Sequence, residues 1–185
     1  MNEPSRPRIA VSACLLGEQV RYDGGHKRDA FVLGRLAAYA DLVPVCPEVE
    51  LGLGTPREKI QLVRSGGEVR LLTTETQRDL TADMQRYAAR RMADLAALQL
   101  SGFILKRSSP SCGLDHVRLL DGSVETRDGQ GLFAAAVLAG LPSLPVIDER
   151  RLADCELRRT FLVSVFELHS RQQGRAVAVP EALLA

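Results

Sequence analysis

The chain has 185 residues, of which 45% are hydrophobic and 25% are charged, as in an ordinary globular domain. Its formal net charge of +1 shows no basic excess of the kind that binds DNA or RNA, so we expect no stable nucleic-acid binding. Aromatic residues are only 4% of the chain, which argues against extensive base stacking along a single strand.

The predicted elements alternate between short, apolar, β-rich runs and helical patterns. In chain order they are a strand at 8–13, a helix at 30–40, a strand at 42–46, a hairpin at 60–74, a helix at 81–100, a strand at 102–106, a turn at 121–122, a helix at 131–140, a strand at 144–148 and an amphipathic helical segment at 149–171. Asp29 is placed to cap the first helix. Together they predict an α/β, Rossmann-like fold: a mainly parallel sheet with helices on both faces, plus a C-terminal helix.

The N-terminal residues MNEPSRPR lack an apolar core, and no run of about 18 apolar residues occurs, so neither a secretory signal nor a membrane span is expected. We therefore expect a cytoplasmic protein, in which thiols stay reduced. In that compartment the four cysteines are ligands, nucleophiles or core residues rather than a disulfide framework.

Three of the cysteines follow predicted strands: Cys14 after the first, Cys46 at the end of the second, and Cys112 in the loop after GFILK. Open α/β sheets bind ligands at the carboxyl ends of their strands, so these loops can bring three thiols together. Three thiolates would leave one iron of a cubane iron–sulfur cluster open to a soft atom such as sulfur. Cys155 lies in the C-terminal amphipathic segment and is interpreted as structural.

The cysteine spacing alone is weak support for a cluster, because no C-x-x-C motif occurs and free cysteine is often a small core hydrophobe. Two other functions stay open. One is a thiol-nucleophile enzyme that pairs Cys112 with His116, which requires that stretch to be helical. The other is a non-catalytic module that binds zinc or a cluster. His26 is a further candidate partner for a cysteine, whereas His169 is expected to be exposed.

Polar residues accompany the three thiols along the sequence. Glu48 follows Cys46 by two residues and is the candidate general acid/base. The alternative is that Glu48 is solvated or caps a turn. Ser109 and Ser111 flank a proline just before Cys112 and are candidate catalytic hydroxyls. The candidate substrate-binding residues are Ser12, Asp23, Lys106 and Gly113.

Four segments resemble, in order, the thiouracil desulfidase family, long known only as a domain of unknown function. They are SACLLGEQVRYDGGHKRD, VPVCPEVELGLGTPRE, GFILKRSSPSCG and GQGLFAAAVL. The resemblance implies a desulfidase-like domain at 8–148 and a C-terminal helical extension at 149–185. The tail is more similar to a longer subgroup, whose members usually carry a second helical domain that we expect to be missing here. DGSVETRDGQG replaces the family's more usual DGxFxG stretch, so the exact substrate is left open.

The resemblance also implies a four-iron four-sulfur ([4Fe-4S]) cluster held by Cys14, Cys46 and Cys112, with a fourth iron that takes sulfur from a thiocarbonyl. Glu48 and the serines of SPSCG would serve in acid/base chemistry and substrate positioning. Family members convert 2-thiouracil-type substrates to uracil and sulfide by a non-redox hydrolysis. We therefore expect a C=S hydrolase that acts on a small thiolated nucleobase or nucleoside; the sequence does not predict its oligomeric state.

Overall fold

The computed structural model describes residues 5–184. The strands are β1 Arg8–Ser12, β2 Asp41–Val45, β3 Ile60–Ser65, β4 Glu68–Thr73, β5 Gly102–Leu105, β6 Val117–Asp121, β7 Val124–Gly129 and β8 Val146–Asp148. The helices are α1 Ala30–Gly34, α2 Pro47–Glu50, α3 Thr81–Ala97, α4 Leu132–Gly140, α5 Glu149–Ala153, α6 Cys155–Gln173 and α7 Glu181–Leu184, with 3₁₀ turns at Ala13–Leu16 and Leu36–Ala38.

The central sheet has the strand order β2-β1-β5-β8, and each of its pairings is parallel. Successive side chains of a strand point to opposite faces, and both faces of this sheet are covered. Ala10 and Phe103 pack with α3 and α4 on one face, while Ile9 and Ile104 pack with α1 and α6 on the other. The predicted α/β architecture, with a parallel sheet between helices, is therefore confirmed.

A second sheet, in the order β4-β3-β6-β7, extends the core on the α3 and α4 side. The hairpin of β3 and β4 was predicted from Gly66-Gly67, but the hairpin of β6 and β7 was predicted only as a turn at 121–122. The reason is that β7 (VETRDG) is mostly exposed and polar, so its sequence carries little strand signal. It is held by pairing with β6, which in turn pairs in parallel with β3.

Aspartate caps set the helix boundaries. Asp29 accepts a hydrogen bond from the amide of Val32 at 2.9 Å, as predicted for the first helix, although α1 ends at Gly34 and a 3₁₀ turn completes the segment. The predicted C-terminal helical segment is divided at Asp154, whose side chain accepts from two amides at the start of α6. No helix within residues 5–184 is long and apolar enough to cross a membrane.

The C-terminal helix α6 packs tightly against the central sheet. A Cβ at Gly102 would lie 2.7 Å from a side-chain carbon of Val165, so the small residue in β5 permits this contact. His169, also on α6, is only 3% exposed, and its Nε2 lies 2.8 Å from the carbonyl oxygen of Ser5. The expectation that His169 is exposed was wrong, because the chain that precedes β1 covers this part of α6. The proposed boundary at 148/149 stays a prediction.

Candidate functional site

A cavity of about 370 Å³ opens at the carboxyl edge of the parallel sheet, where β1, β2 and β5 end. Its lining includes Cys14, Cys46 and Cys112, so the fold places the three cysteines around one space, as expected from the positions of their strands. The loop at 20–22 and the segment 57–60, which leads into β3, complete the wall. A cavity of this size suits a small ligand.

Each cysteine is placed by a different local structure. Cys14 lies in the 3₁₀ turn after β1, which ends at Gly17 with a left-handed φ of 88° that glycine adopts readily. Cys46 is the N-cap residue of α2, followed by a proline at the first helical position, where the missing amide hydrogen costs nothing. Cys112 lies in a tight loop that is closed by a 2.8 Å hydrogen bond from the amide of Gly113 to the carbonyl of Ser109.

Cys14 and Cys112 are buried and Cys46 is partly buried, and this shielding from solvent raises the pKa of each thiol. Burial raises the pKa of the Cys14 thiol from 9.0 to about 11 and raises the pKa of Cys46 as well. Burial also raises the pKa of Cys112, and the Glu48 carboxylate and the other two thiols act in the same direction. In the metal-free chain all three are therefore neutral thiols at pH 7, and a metal group that binds them must displace their protons.

Glu48 faces the cavity and is paired with a residue that the sequence reasoning missed. Its Oε2 forms a 2.6 Å ion pair with Nη2 of Arg57, and the two side chains are only 16% and 6% exposed, respectively. The hydroxyl of Ser109 lies 3.4 Å from Oε1, at the far limit of a hydrogen bond. Glu48 is thus neither solvated nor a turn cap. Arg57 belongs to the GTPRE segment, and its proximity to Glu48 depends on how the loop from α2 to β3 folds back.

Serine hydroxyls hold the loops together around Cys112. Ser109 Oγ accepts hydrogen bonds from the amides of Ser111 and Cys112, at 3.1 and 3.0 Å. Ser12 Oγ accepts from the amide of Lys106 at 2.9 Å, and a hydrogen bond between Ser12 and the Cys112 thiol acts to lower the pKa of Cys112. Ser111 Oγ is buried and has no hydrogen-bond partner within residues 5–184. Ser12 and Ser109 line the cavity.

The remaining candidate substrate-binding residues differ in position. Lys106 lines the cavity, forms an ion pair with Glu149 of α5 and donates to the carbonyl of Arg107 at 3.0 Å. Asp23 is exposed, accepts from the amide of Gly25 at 3.0 Å, and does not line the cavity. Gly113 lies beside the cavity lining, and a Cβ there would come within 2.3 Å of a Val117 methyl.

Neither histidine near a cysteine in sequence forms a catalytic pair with it. The stretch after Cys112 is not helical, and His116 is exposed with a φ of 50°. His26 is also exposed, and its Nδ1 accepts from the amide of Arg28 at 3.2 Å. The alternative of a nucleophile pair formed by Cys112 and His116 is therefore not favoured. Cys155 is exposed at the start of α6, outside the cavity lining.

The cavity wall also carries cations and an aromatic ring that the sequence reasoning did not single out. The ring of Tyr22 has Nζ of Lys59 at 5.0 Å and Cζ of Arg21 at 5.4 Å from its centroid, both within cation–π range. Lys27 and Arg107 also line the cavity. In the sequence, the only sign of these cations is that basic residues lie next to the cysteine-containing segments.

The model of the 2-thiouracil desulfurase family matches residues 9–149. This chain belongs to that family. The uncharacterized protein YbbK of Bacillus subtilis (strain 168), a relative of this desulfurase-family chain, is 31% identical over 151 residues, which are 79% of this chain and 98% of YbbK. A solved structure of the [4Fe-4S]-dependent thiouracil desulfidase TudS is 34% identical, with a TM-score of 0.65, and the match covers 84% of this chain and 99% of that one.

The donor set fits an iron–sulfur cluster better than a single metal ion. Within residues 5–184, no three His, Cys, Asp or Glu side chains converge closely enough to hold one metal ion. A cluster is wider than an ion, takes thiolates as ligands, and needs them spread around a space, as the three cysteines are here. Ser111 precedes Cys112 and has a buried hydroxyl with no hydrogen-bond partner within residues 5–184, but it does not line the cavity.

Proposed function

We propose that this protein is a [4Fe-4S]-dependent desulfidase that removes sulfur from a small thiolated nucleobase, such as 2-thiouracil, and releases sulfide. The observation that carries the proposal is that Cys14, Cys46 and Cys112, which come from three separate loops, line one cavity beside the partly buried carboxylate of Glu48. The 34% identity to TudS, whose name states both the cluster and the thiouracil substrate, supports the same conclusion.

The three cysteines are proposed as the ligands of the cluster. When bound, the cluster supplies an iron with an open coordination position, which can take a soft sulfur atom and draw electron density from a thiocarbonyl carbon. Cys155 is excluded from the ligand set because it is exposed at the start of α6 and does not line the cavity.

Glu48 is proposed as the general acid/base. Arg57 occupies its Oε2 at 2.6 Å, whereas Oε1 makes only the 3.4 Å contact with Ser109 within the described residues 5–184. Oε1 is therefore the oxygen that is free to exchange a proton with water or with a ring nitrogen of the substrate. The ion pair fixes the orientation of the carboxylate, which is what proton transfer in a defined geometry requires.

The other candidate residues receive distinct proposed roles. Ser109 Oγ accepts from two amides, and within residues 5–184 its hydroxyl donates only to Glu48, over a long distance of 3.4 Å. The hydroxyl is therefore available to donate to a substrate carbonyl. Ser12 and Lys106 line the cavity and are proposed to contact the substrate. The buried hydroxyl of Ser111 is proposed to donate to the sulfur of Cys112 or to a sulfur of the bound cluster. Asp23 and Gly113 are proposed to act indirectly, by shaping the loops that carry the contact residues.

The reaction is proposed to be a non-redox hydrolysis. Water supplies oxygen to the carbon of the C=S bond, the bond to sulfur breaks, and the sulfur leaves as sulfide with the protons of that water. No electron is gained or lost overall. We also propose that the protein works in the cytoplasm, because a reducing compartment keeps the three ligand thiols available.

The test is conversion of 2-thiouracil by anaerobically reconstituted protein in ¹⁸O-labelled water, followed through cluster absorbance, sulfide and uracil. We expect labelled uracil and one sulfide for each turnover. Glu48→Gln should keep the brown cluster and lose about 10²–10⁴-fold in turnover. Cluster-loaded protein that released no sulfide from any thiolated base, nucleoside or nucleotide would favour a binding role instead.

A further inference from the structure

Glu50, four residues after Cys46, holds the backbone of this proposed ligand from both sides. The amide of Glu50 donates to the carbonyl of Cys46 at 2.9 Å, as in an ordinary helical turn. Its carboxylate oxygen Oε1 also accepts from the amide of Cys46 at 3.0 Å. This amide belongs to the N-cap residue of α2, so the contact fixes the orientation of Cys46 at the cavity rim.

The same carboxylate is anchored to the long helix α3. The hydroxyl of Tyr87 donates to Glu50 Oε2 at 2.7 Å. Arg91 Nε lies 2.9 Å from the same oxygen, which makes an ion pair but not a hydrogen bond. Tyr87 is only 6% exposed, and burial followed by the hydrogen bond to Glu50 raises its pKa far above the usual value. The hydroxyl therefore stays protonated and donates at any ordinary pH.

Tyr87 also connects to the loop that carries Cys112. Its ring centroid lies 5.8 Å from that of Phe133, in the first turn of α4. This turn holds the Cys112 loop by hydrogen bonds from Leu132 to the carbonyl of Pro110, at 3.2 Å, and from Ala134 to the carbonyl of Ser111, at 3.0 Å. Helix α3 therefore contacts both Glu50, which holds Cys46, and Phe133, in the turn that holds the Cys112 loop.

We propose that Glu50 is a positioning residue that fixes Cys46 for cluster binding, and that Tyr87 and Arg91 hold it in place from α3. The inference rests on the proposed function and adds to it a residue that does not line the cavity. Groups that orient a metal ligand commonly change metal retention about 10–100-fold when they are removed. Glu50 is expected to act in this way, through the backbone of Cys46.

The experiment compares reconstituted wild-type protein with Glu50→Ala, Glu50→Gln and Tyr87→Phe, and it measures the rate of iron release to a chelator under anaerobic conditions. Glu125→Ala is the matched control, because Glu125 also pairs with an arginine, at 2.8 Å, but on the exposed strand β7. The melting temperature of each metal-free variant is recorded in parallel, so that a general loss of stability is seen separately.

Glu50→Ala should release iron about 10–100-fold faster than wild-type protein, while Glu125→Ala should not differ. Glu50→Gln should be intermediate, because its amide oxygen still accepts from Cys46 but its amide nitrogen cannot accept from Tyr87 or pair with Arg91. Tyr87→Phe, which removes one of these two anchors, should be intermediate as well. Release from Glu50→Ala at the wild-type rate, or from Glu50→Gln as fast as from Glu50→Ala, would overturn the inference. Wild-type protein that binds no cluster would instead contradict the proposed function, and this inference with it.

Discussion

Replacing Arg57 by methionine is expected to destabilise the metal-free protein by about 2–3 kcal/mol, because it leaves the Glu48 carboxylate without its main partner. The ion pair is short, at 2.6 Å, and the side chains of Arg57 and Glu48 are 6% and 16% exposed. Removing one member of a fully buried pair costs about 3–5 kcal/mol, and the residual exposure of Glu48 reduces this value. For a chain of this size the melting temperature should fall by roughly 4–12 °C.

The predicted loss of stability can be tested by comparison with a second arginine–glutamate ion pair, which is exposed. Arg118 and Glu125 lie 2.8 Å apart but are 55% and 43% exposed, so Arg118→Met should cost no more than about 1 kcal/mol. The double variant Arg57→Met/Glu48→Gln should recover much of the loss, since no unpaired charge remains. Urea and thermal unfolding of the metal-free proteins provide the free energies. Equal losses for the two arginine variants, or a double variant as unstable as Arg57→Met, would refute the argument from burial.

Two further outcomes follow from the site. Burial raises the pKa of Cys14 from 9.0 to about 11, so the stability it contributes is complete below pH 9 and is lost as the pH rises to 11, by about 3 kcal/mol in all. In urea titrations, the free energy of unfolding of metal-free wild-type protein should fall by about this amount relative to that of Cys14→Ser between pH 9 and 11. A difference that stays constant over this range would contradict the prediction. Gly131→Ala places a Cβ 2.4 Å from the carbonyl oxygen of Ser111 and should cost about 1–3 kcal/mol, whereas Gly34→Ala, with no atom within 4 Å, should cost nothing. Equal melting temperatures for the two alanine variants would contradict this prediction, because the Cys112 loop would then have moved to accommodate the added methyl group.

The convergence of the three cysteine loops could be predicted from the sequence, because two general rules were enough. Continuous apolar runs such as GFILK indicate parallel strands, and the carboxyl ends of parallel strands share one edge of the sheet. Cys14, Cys46 and Cys112 each follow such a strand and line the same cavity. Their role as ligands stays a proposal.

The partners of the site residues were not predictable in the same way. Arg57 reaches Glu48 only because the loop from α2 to β3 folds back over the cavity, and no periodic pattern encodes such a path. Glu50 is anchored on α3 by the hydroxyl of Tyr87, which lies 37 positions away in the chain. The helical pattern of the sequence identifies Tyr87 only as an apolar position. His169 was misplaced because its burial depends on the chain before β1, not on α6 itself.

Whether the three cysteines hold a cluster can be tested by replacing each cysteine in turn by serine and measuring iron, acid-labile sulfide and the release of sulfide from 2-thiouracil. We expect Cys14→Ser, Cys46→Ser and Cys112→Ser to lose most of the cluster and all turnover, because each cysteine supplies one of three proposed thiolate ligands. Cys155→Ser should keep the iron content and the turnover of the wild-type protein. Equal loss in all four variants, or undiminished turnover in Cys112→Ser, would contradict this expectation.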